Sequence, residues 1–312
     1  MRAVFFGTPA TAARLLQATA RTVREVAAAV TQPDRRRGRG RRLSAAPVKG
    51  AAQEMGIEVL QPERASDEGL LHRLRQIAPD VIVVVAYGHK LPMELLQIPA
   101  RGCINVHFSL LPELRGAAPV FWAIVHGYEV TGVTTMYMAE EMDAGDIILS
   151  QEERIRSDDT SETLEARLTE IGCGLLQETL RLLAEGRAPR TPQDHARATR
   201  APLLKKEDGR IDWSQGAAQI ERLVRAAIPW PVAFTALRGQ PLRVYWASAM
   251  PDAPGAGGRA GQVIESSDKT GLSVLTGSGA LQILEVQAPG RRRMPAADFA
   301  RGARLAPGTL LG

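Results

Sequence analysis

The sequence predicts an α/β protein in two parts: an N-terminal doubly wound, mostly parallel sheet, then a small, OB-like C-terminal β-barrel. Three observations predict it. Strand, helix and strand follow one another over residues 2–30 at a spacing that favours a parallel sheet. Asp80-Val81-Ile82-Val83-Val84-Val85-Ala86 is a continuous β-branched run, as a central strand buried on both faces should be. Beyond residue 231, five short strand candidates alternate with glycine turns, the pattern of a small barrel.

Arg2–Phe6 opens the chain as an apolar strand. Gly7-Thr8-Pro9 follows, with Thr8 suited to cap a helix reaching about Thr19 and Pro9 suited to its first turn. A single glycine there is not the G-x-G-x-x-G dinucleotide turn, which disfavours a nicotinamide-linked dehydrogenase. Glu25–Val30 is the second strand. Residues 35–42 then hold six arginines (Arg35, Arg36, Arg37, Arg39, Arg41, Arg42) interleaved with Gly38 and Gly40. Six like charges in eight residues repel and resist burial, so an exposed, flexible loop is expected. Its functional reading is a clamp on a nucleic-acid backbone; its plain reading is a solvated loop.

Pro47–Met55 reads as a helix, Ile57–Leu60 as a strand, and Ser66–Ile77 as a helix capped by Ser66. The central strand at 80–86 runs out into Tyr87-Gly88-His89-Lys90-Leu91-Pro92. Cys103-Ile104-Asn105-Val106-His107 is the next strand. Asn105 and His107 lie two apart, so a strand points both at one face. Two polar groups on one side of an apolar strand need a reason, because leaving them buried and unpaired costs roughly 1–3 kcal/mol each. An amide donor beside an imidazole suits attack on a carbonyl: one steadies the oxyanion, the other manages a proton. Ligands in open α/β sheets sit where strands end in this way.

Ala117–His126 reads as a helix and Thr131–Met138 as a strand. Glu140-Glu141-Met142-Asp143-Ala144-Gly145-Asp146 is a tight loop entering the next strand, and Thr160–Glu185 is a long amphipathic helix. The expected division is a first domain over 1–186, a linker over 187–204 rich in proline and arginine, and a second domain over 205–312. In the second, a helix over Ala217–Ala227 precedes strands at Val232–Leu237, Leu242–Ala247, Gly261–Ser266, Leu272–Thr276 and Ala280–Val286, with a flexible insertion at Pro251–Gly261.

Composition narrows the class. Hydrophobic content is 45% with 23% charged, ordinary for a soluble globular chain of 312 residues. No apolar run approaches the roughly 18 residues of a membrane span. The N-terminus reads straight into a strand, with no signal peptide, so a cytoplasmic protein is expected. Cys103 and Cys173 lack metal-type spacing, so no structural metal is expected. Residues 205–312 carry 14 basic and 9 acidic residues, while residues 1–204 balance only because of the six clustered arginines. Positive charge thus gathers in one loop and in the tail domain, where Lys205, Lys206, Arg291, Arg292 and Arg293 are the candidate contacts. That asymmetry fits a polyanion reached from two places.

With these motifs in view, the chain resembles the methionyl-tRNA formyltransferase family nearly end to end. The resemblance rests on Val4-Phe5-Phe6-Gly7-Thr8-Pro9, Thr31-Gln32-Pro33-Asp34 with Gly38-Arg39-Gly40, Val84–Gly88, Asn105–Pro119, Met142–Asp146 and Ile211-Asp212-Trp213-Ser214. The Asn-x-His-x-Ser-Leu-Leu-Pro run is common to folate-dependent formyltransferases, and the glycine-arginine loop with the tail domain points to the tRNA enzymes among them. The resemblance implies a Rossmann-like formyltransferase domain. It implies transfer of a formyl group from 10-formyltetrahydrofolate to the α-amine of initiator methionyl-tRNA, without metal, by a cytoplasmic monomer of bacterial type. Asn105, His107 and Asp143 fall on the family's catalytic residues. Ser109, Leu110, Leu111 and Pro112 match its folate-contacting segment. Tyr87, Gly88, His89, Lys90 and Leu91, with Glu140, Glu141 and Met142, match the loops around the pterin, and Arg39 matches the arginine of the acceptor-stem loop. Departures are Phe108 where the family more often has Gly or Pro, Arg36-Arg37 for a Pro-Ala-like pair, and Ala10-Thr11 for an acidic-aromatic pair. Two other readings remain open: formylation of a small amine by the same catalytic set, and a non-catalytic RNA-binding protein.

Overall fold

A computed structural model describes residues 1–37, 42–251, 258–267 and 271–312. The chain clusters into two compact units, one of Met1–Pro119, Val130–Arg154 and Glu165–Pro202, the other of Val120–Glu129, Ile155–Leu164 and Leu203–Gly312.

The first unit is built on β1 (Arg2–Gly7), α1 (Ala10–Thr22), β2 (Glu25–Val30), β3 (Arg35–Arg37), β4 (Arg42–Ser44), α2 (Pro47–Glu54), β5 (Glu58–Leu60), α3 (Glu68–Ile77), β6 (Val81–Val85), α4 (Met93–Leu96), β7 (Cys103–His107) and β8 (Arg115–Gly116). It continues through α5 (Pro119–His126), β9 (Val130–Tyr137), β10 (Ile147–Arg154), α6 (Ser161–Ala184) and β11 (Arg200–Ala201), with α5 and the first turn of α6 clustering with the second unit. The sheet order is β10-β9-β7-β6-β1-β2-β5. Strands β5, β2, β1, β6 and β7 are parallel, and β9 and β10 close one edge antiparallel.

Every residue of β6 is buried, which explains its unbroken β-branched composition. On one face, Val4, Phe6, Val30, Ile82 and Val84 pack with Leu70, Leu71, Leu74 and Ile77 of α3 and with Leu91 and Leu95. That apolar layer drives the sheet and α3 together. The chain winds outward from β1 toward β5 in one direction and from β6 toward β7 in the other. A topological switch point therefore opens between the carboxyl ends of β1 and β6, beside the end of β7.

Local details correct several sequence expectations. The cap of α3 is Asp67, whose carboxylate accepts from the Leu70 N–H at 2.9 Å, and not Ser66. Thr8 does not cap α1; its hydroxyl donates to the Tyr87 carbonyl at 3.2 Å. Helix α5 begins at Pro119 rather than Ala117 because Gly116 is paired with Ala201 and the Ala118 N–H donates to the Ala201 carbonyl. The arginine segment is not simply a loop: Arg35–Arg37 pair antiparallel with Arg42–Ser44 as a hairpin. Arg39 and Arg41 lie outside the described residues. Residues 187–202, expected to fall in the linker, cluster with the first unit.

The second unit adds α7 (Ala217–Ala226), β12 (Ala233–Leu237), β13 (Gln240–Met250), β14 (Val263–Ser267), β15 (Gly271–Leu275), β16 (Ala280–Gln287), β17 (Met294–Pro295) and α8 (Ala296–Gly302). The antiparallel order is β12-β13-β16-β15-β14, with β17 on β16. Leu311 bridges to Leu237 and Leu310 to Gln262, so the last residues join both edges of this sheet and curl it into a partly closed barrel. Arg225 of α7, buried, donates to the Asp159 carbonyl at 2.6 Å and pairs with Glu221 at 2.6 Å, holding the helix to residues 155–164 of its own unit. Part of the insertion expected over 251–261, residues 252–257, lies outside the described residues. No helix among the described residues is long and apolar enough to cross a membrane.

Candidate active site

The period-two spacing on β7 has the expected result: Asn105 and His107 share a face, and Asp143 meets both. The Asn105 Nδ2 donates to Asp143 Oδ1 at 3.4 Å, and His107 Nδ1 lies 3.8 Å from Asp143 Oδ2. Asp143 Oδ2 also accepts the Gly116 N–H at 2.8 Å. His107 and the Asp143 side chain are only 6% and 12% exposed, so their mutual field is weakly screened. Asp143 sits at φ +55°, a left-handed conformation uncommon for a residue with a Cβ.

The His107 ring is oriented from its far side. Its Nε2 lies 2.9 Å from the Leu114 carbonyl oxygen, which can only accept, so Nε2 carries a proton. Nδ1 is left to face Asp143. The tautomer is thus set by Leu114, a residue that nothing in its own local sequence marks as functional.

Phe108, the departure beside His107, points the other way. Its ring and Val106 lie within 3.5 Å of where a Cβ on Gly172 of α6 would sit, so it packs on the opposite side of the sheet and leaves the imidazole face unaltered. Ser109–Pro112 form the turn after β7. The Ser109 hydroxyl donates to the Glu113 carbonyl at 2.6 Å, and Thr134 receives the Leu111 N–H while donating to the Ser109 carbonyl. Leu110 lies against the Cα of Gly132.

A cleft of about 720 Å³ is lined by Glu63, Arg64, Ala65, Ser66, Gly88, His89, Lys90, Leu91, Pro92, Met93 and Glu140. It gathers four of the predicted residues from the loop after β6, together with Glu140. Tyr87 does not join it by its side chain: the ring is buried against Phe6 and His89, its hydroxyl has no partner among the described residues, and burial pushes the phenol up to about 12. Ser109, Leu110, Leu111 and Pro112 are not among its lining residues. Met142 is exposed, and Glu141 Oε1 lies 3.7 Å from the Arg115 guanidinium. Arg64 and Ser66 also line the cleft; from sequence, Ser66 reads as a helix cap and an arginine at a helix approach as ordinary surface.

Residues beyond the sequence candidates brace the site. Arg115 is buried, and its guanidinium donates twice to Gln193 Oε1, at 3.1 and 2.7 Å. Gln193 Nε2 donates to the carbonyls of Asp143 and Gly145 at 2.9 and 2.7 Å. The glycine at 145 is obligatory: a Cβ there would lie 1.9 Å from the Tyr137 carbonyl oxygen.

Among the basic candidates, Arg35, Lys205, Lys206, Arg291 and Arg292 are exposed. Arg36, Arg37 and Arg42 are strand residues of the hairpin. Arg293 is partly occupied, paired with Glu285 at 2.5 Å and stacked 4.3 Å over the Tyr245 ring. The base of the hairpin is pinned. Asp34 takes hydrogen bonds from Lys49 Nζ at 2.6 Å and Gln61 Nε2 at 2.8 Å, and Lys49 above all holds its carboxyl below the usual carboxylate range.

Comparison with known proteins places the chain among formyl transferases. Residues 1–180 match the formyl transferase family and residues 203–304 its C-terminal domain. The methionyl-tRNA formyltransferase of Moorella thermoacetica is 47% identical over 312 residues, covering 100% of this chain and 99% of that protein. That of Solibacter usitatus is 46% identical over 316 residues, covering 100% and 99%. In fold, a sugar 3N-formyl transferase crystallised with dTDP and 5-N-formyl-THF superimposes with a TM-score of 0.67 at 14% identity, covering 94% of this chain and 99% of that one. With a family match on both domains and relatives this similar from end to end, the chain belongs to the methionyl-tRNA formyltransferase family of formyl transferases.

Proposed function

We propose that this protein transfers the formyl group of 10-formyltetrahydrofolate to the α-amine of initiator methionyl-tRNA. The observation that carries the reading is the convergence of Asn105, His107 and Asp143 at the end of β7, in a chain 47% identical throughout to a methionyl-tRNA formyltransferase. The cleft beside β6 fits a folate. Its volume suits a bicyclic ring with a tail, the backbone of residues 88–91 offers polar groups to a pterin edge, and Arg64 and Lys90 supply positive charge for glutamyl carboxylates. When bound, the folate supplies an electrophilic formyl carbon to the attacking amine.

The chain's own groups divide the remaining work. Asn105 spends one amide N–H on Asp143, and its second N–H stabilises negative charge growing on the formyl oxygen, a contribution worth about 10²–10³ in rate. His107, with Nε2–H committed to Leu114, takes and gives its proton at Nδ1. It takes there the proton leaving the amine, the Asp143 carboxylate stabilises the resulting imidazolium, and the proton passes on to the folate nitrogen as its bond to the formyl carbon breaks. The arginines of residues 35–42 and the basic residues of the second unit neutralise tRNA phosphates. A monomer working in the cytoplasm belongs to the same reading.

Labelled formyl transfer to charged initiator and elongator tRNA, run side by side, tests it. Wild type should formylate the initiator preferentially, and Asn105→Ala and His107→Ala should lose turnover while retaining tRNA binding. Wild-type kcat in either variant refutes that residue's role, and absence of transfer by wild type refutes the function.

A further inference from the structure

Gln193 lies in a stretch whose prolines and arginines read as a tether, yet the side chain is 6% exposed and fully committed. Its Nε2 donates to two carbonyls of the loop that carries Asp143, those of residues 143 and 145, with the Met136 sulfur 3.9 Å away. Its oxygen is taken by two N–H groups of buried Arg115. The amide therefore has one orientation, with oxygen toward the guanidinium and nitrogen toward the loop. The neighbouring backbone is tied to the same parts of the site. Thr191 exchanges two hydrogen bonds with Ile147, and Thr199 accepts the N–H of Leu114, whose own carbonyl orients His107.

We propose that Gln193, oriented by Arg115, is a positioning residue for formyl transfer, holding the Asp143 loop so that its carboxylate meets His107 and Asn105. The inference rests on the function proposed above and deepens it, since it concerns the geometry of the same site. Asp143 occupies a left-handed conformation that a non-glycine residue leaves unless its surroundings hold it. Gln193 supplies that hold from outside the loop, through the carbonyl of Asp143 itself. Gln193 touches no reacting atom; it acts through Asp143.

Two substitutions separate positioning from bulk stability. Gln193→Glu keeps the shape and the acceptor for Arg115, gaining charge pairing there, but replaces the donor to the two loop carbonyls with an acceptor. Gln193→Ala removes both. Positioning predicts that Gln193→Glu lowers kcat about 10–100-fold, the cost of a small misplacement of a reacting group. KM for tRNA and for the folate donor should stay within about twofold, and the melt should stay one cooperative transition above the assay temperature although the two loop carbonyls lose a donor. Gln193→Ala should lose kcat to a similar extent. Hydrogen exchange at residues 144–147, read without substrates, should quicken in both variants while β6 and β1 stay protected. Wild-type kcat in Gln193→Glu, a loss confined to KM, or exchange at 144–147 unchanged in the variants would overturn the proposal. If wild type itself transfers no formyl group, the function proposed above fails, and the exchange measurement still decides whether Gln193 holds the loop.

Discussion

Replacing Asp143 with asparagine removes the charge at the centre of the site. The carboxylate accepts at both oxygens, from Asn105 at Oδ1 and from the Gly116 N–H at Oδ2. An asparagine can keep its oxygen on Gly116, but its NH₂ then confronts the Asn105 NH₂, donor against donor. Asn105 relieves the conflict by turning its own amide over, which rotates its N–H groups away from the formyl oxygen. Stability should change little, because each hydrogen bond is then remade. Catalysis should not survive so well. An imidazolium forming 3.8 Å from a carboxylate gains about 4 kcal/mol at an effective dielectric near 20. Losing that stabilisation in the transition state alone slows kcat about 10³-fold. The assay is single-turnover formyl transfer at saturating substrates, beside tRNA binding and a thermal melt. A kcat within about tenfold of wild type would refute the ion-pair argument, since general acid–base help of the usual size would then be absent.

Three other outcomes follow from the same coordinates. Gly116→Ala puts a Cβ 2.3 Å from the Ala201 carbonyl at a φ of +130°, so strain and overpacking together should cost about 2–4 kcal/mol in a denaturant titration; a loss under about 1 kcal/mol would mean that β8 and β11 separate freely. Asp34→Asn removes the pin under the arginine hairpin while making the protein more positive. Simple electrostatics predicts tighter tRNA use and loss of the pin predicts a lower kcat/KM for tRNA at constant donor KM; we expect the second. Burial raises the Cys103 thiol from 9.0 to about 12 and the Tyr87 phenol from 10.0 to about 12. Below those ordinary values both states are protonated and the contribution is intact. Between them and about 12 only the unfolded chain releases protons, so stability should fall as pH rises, and urea midpoints at about pH 8 and about pH 11 should differ less in a Cys103→Val variant.

Much of the sheet was legible because its strands are buried on both faces and so carry runs of valine and isoleucine, as at 81–85. The shared face of Asn105 and His107 was legible because only a period of two places them together. The antiparallel edge was less visible, although its signal is present: residues 138–146 between two strand patterns are too few for a crossover helix, so β9 and β10 must form a hairpin. The brace around Asp143 was not legible. Gln193 meets Arg115 across 78 positions and the 143–145 carbonyls across about 50, and prolines nearby imitate a tether. Tertiary context alone selects it. Leu114 has the same character, since its contribution to His107 is a backbone oxygen that any residue would supply.

The bridges from Leu310 and Leu311 to the two border strands of the second unit carry one more consequence. Unpaired strand borders recruit other chains, and here the last few residues occupy part of both borders at once. Removing residues 309–312 would uncover the Leu237 end of β12 and the start of β14 together. The shortened protein should self-associate in a concentration-dependent way at temperatures where the full chain stays dispersed, and a short peptide of those residues added in trans should suppress it.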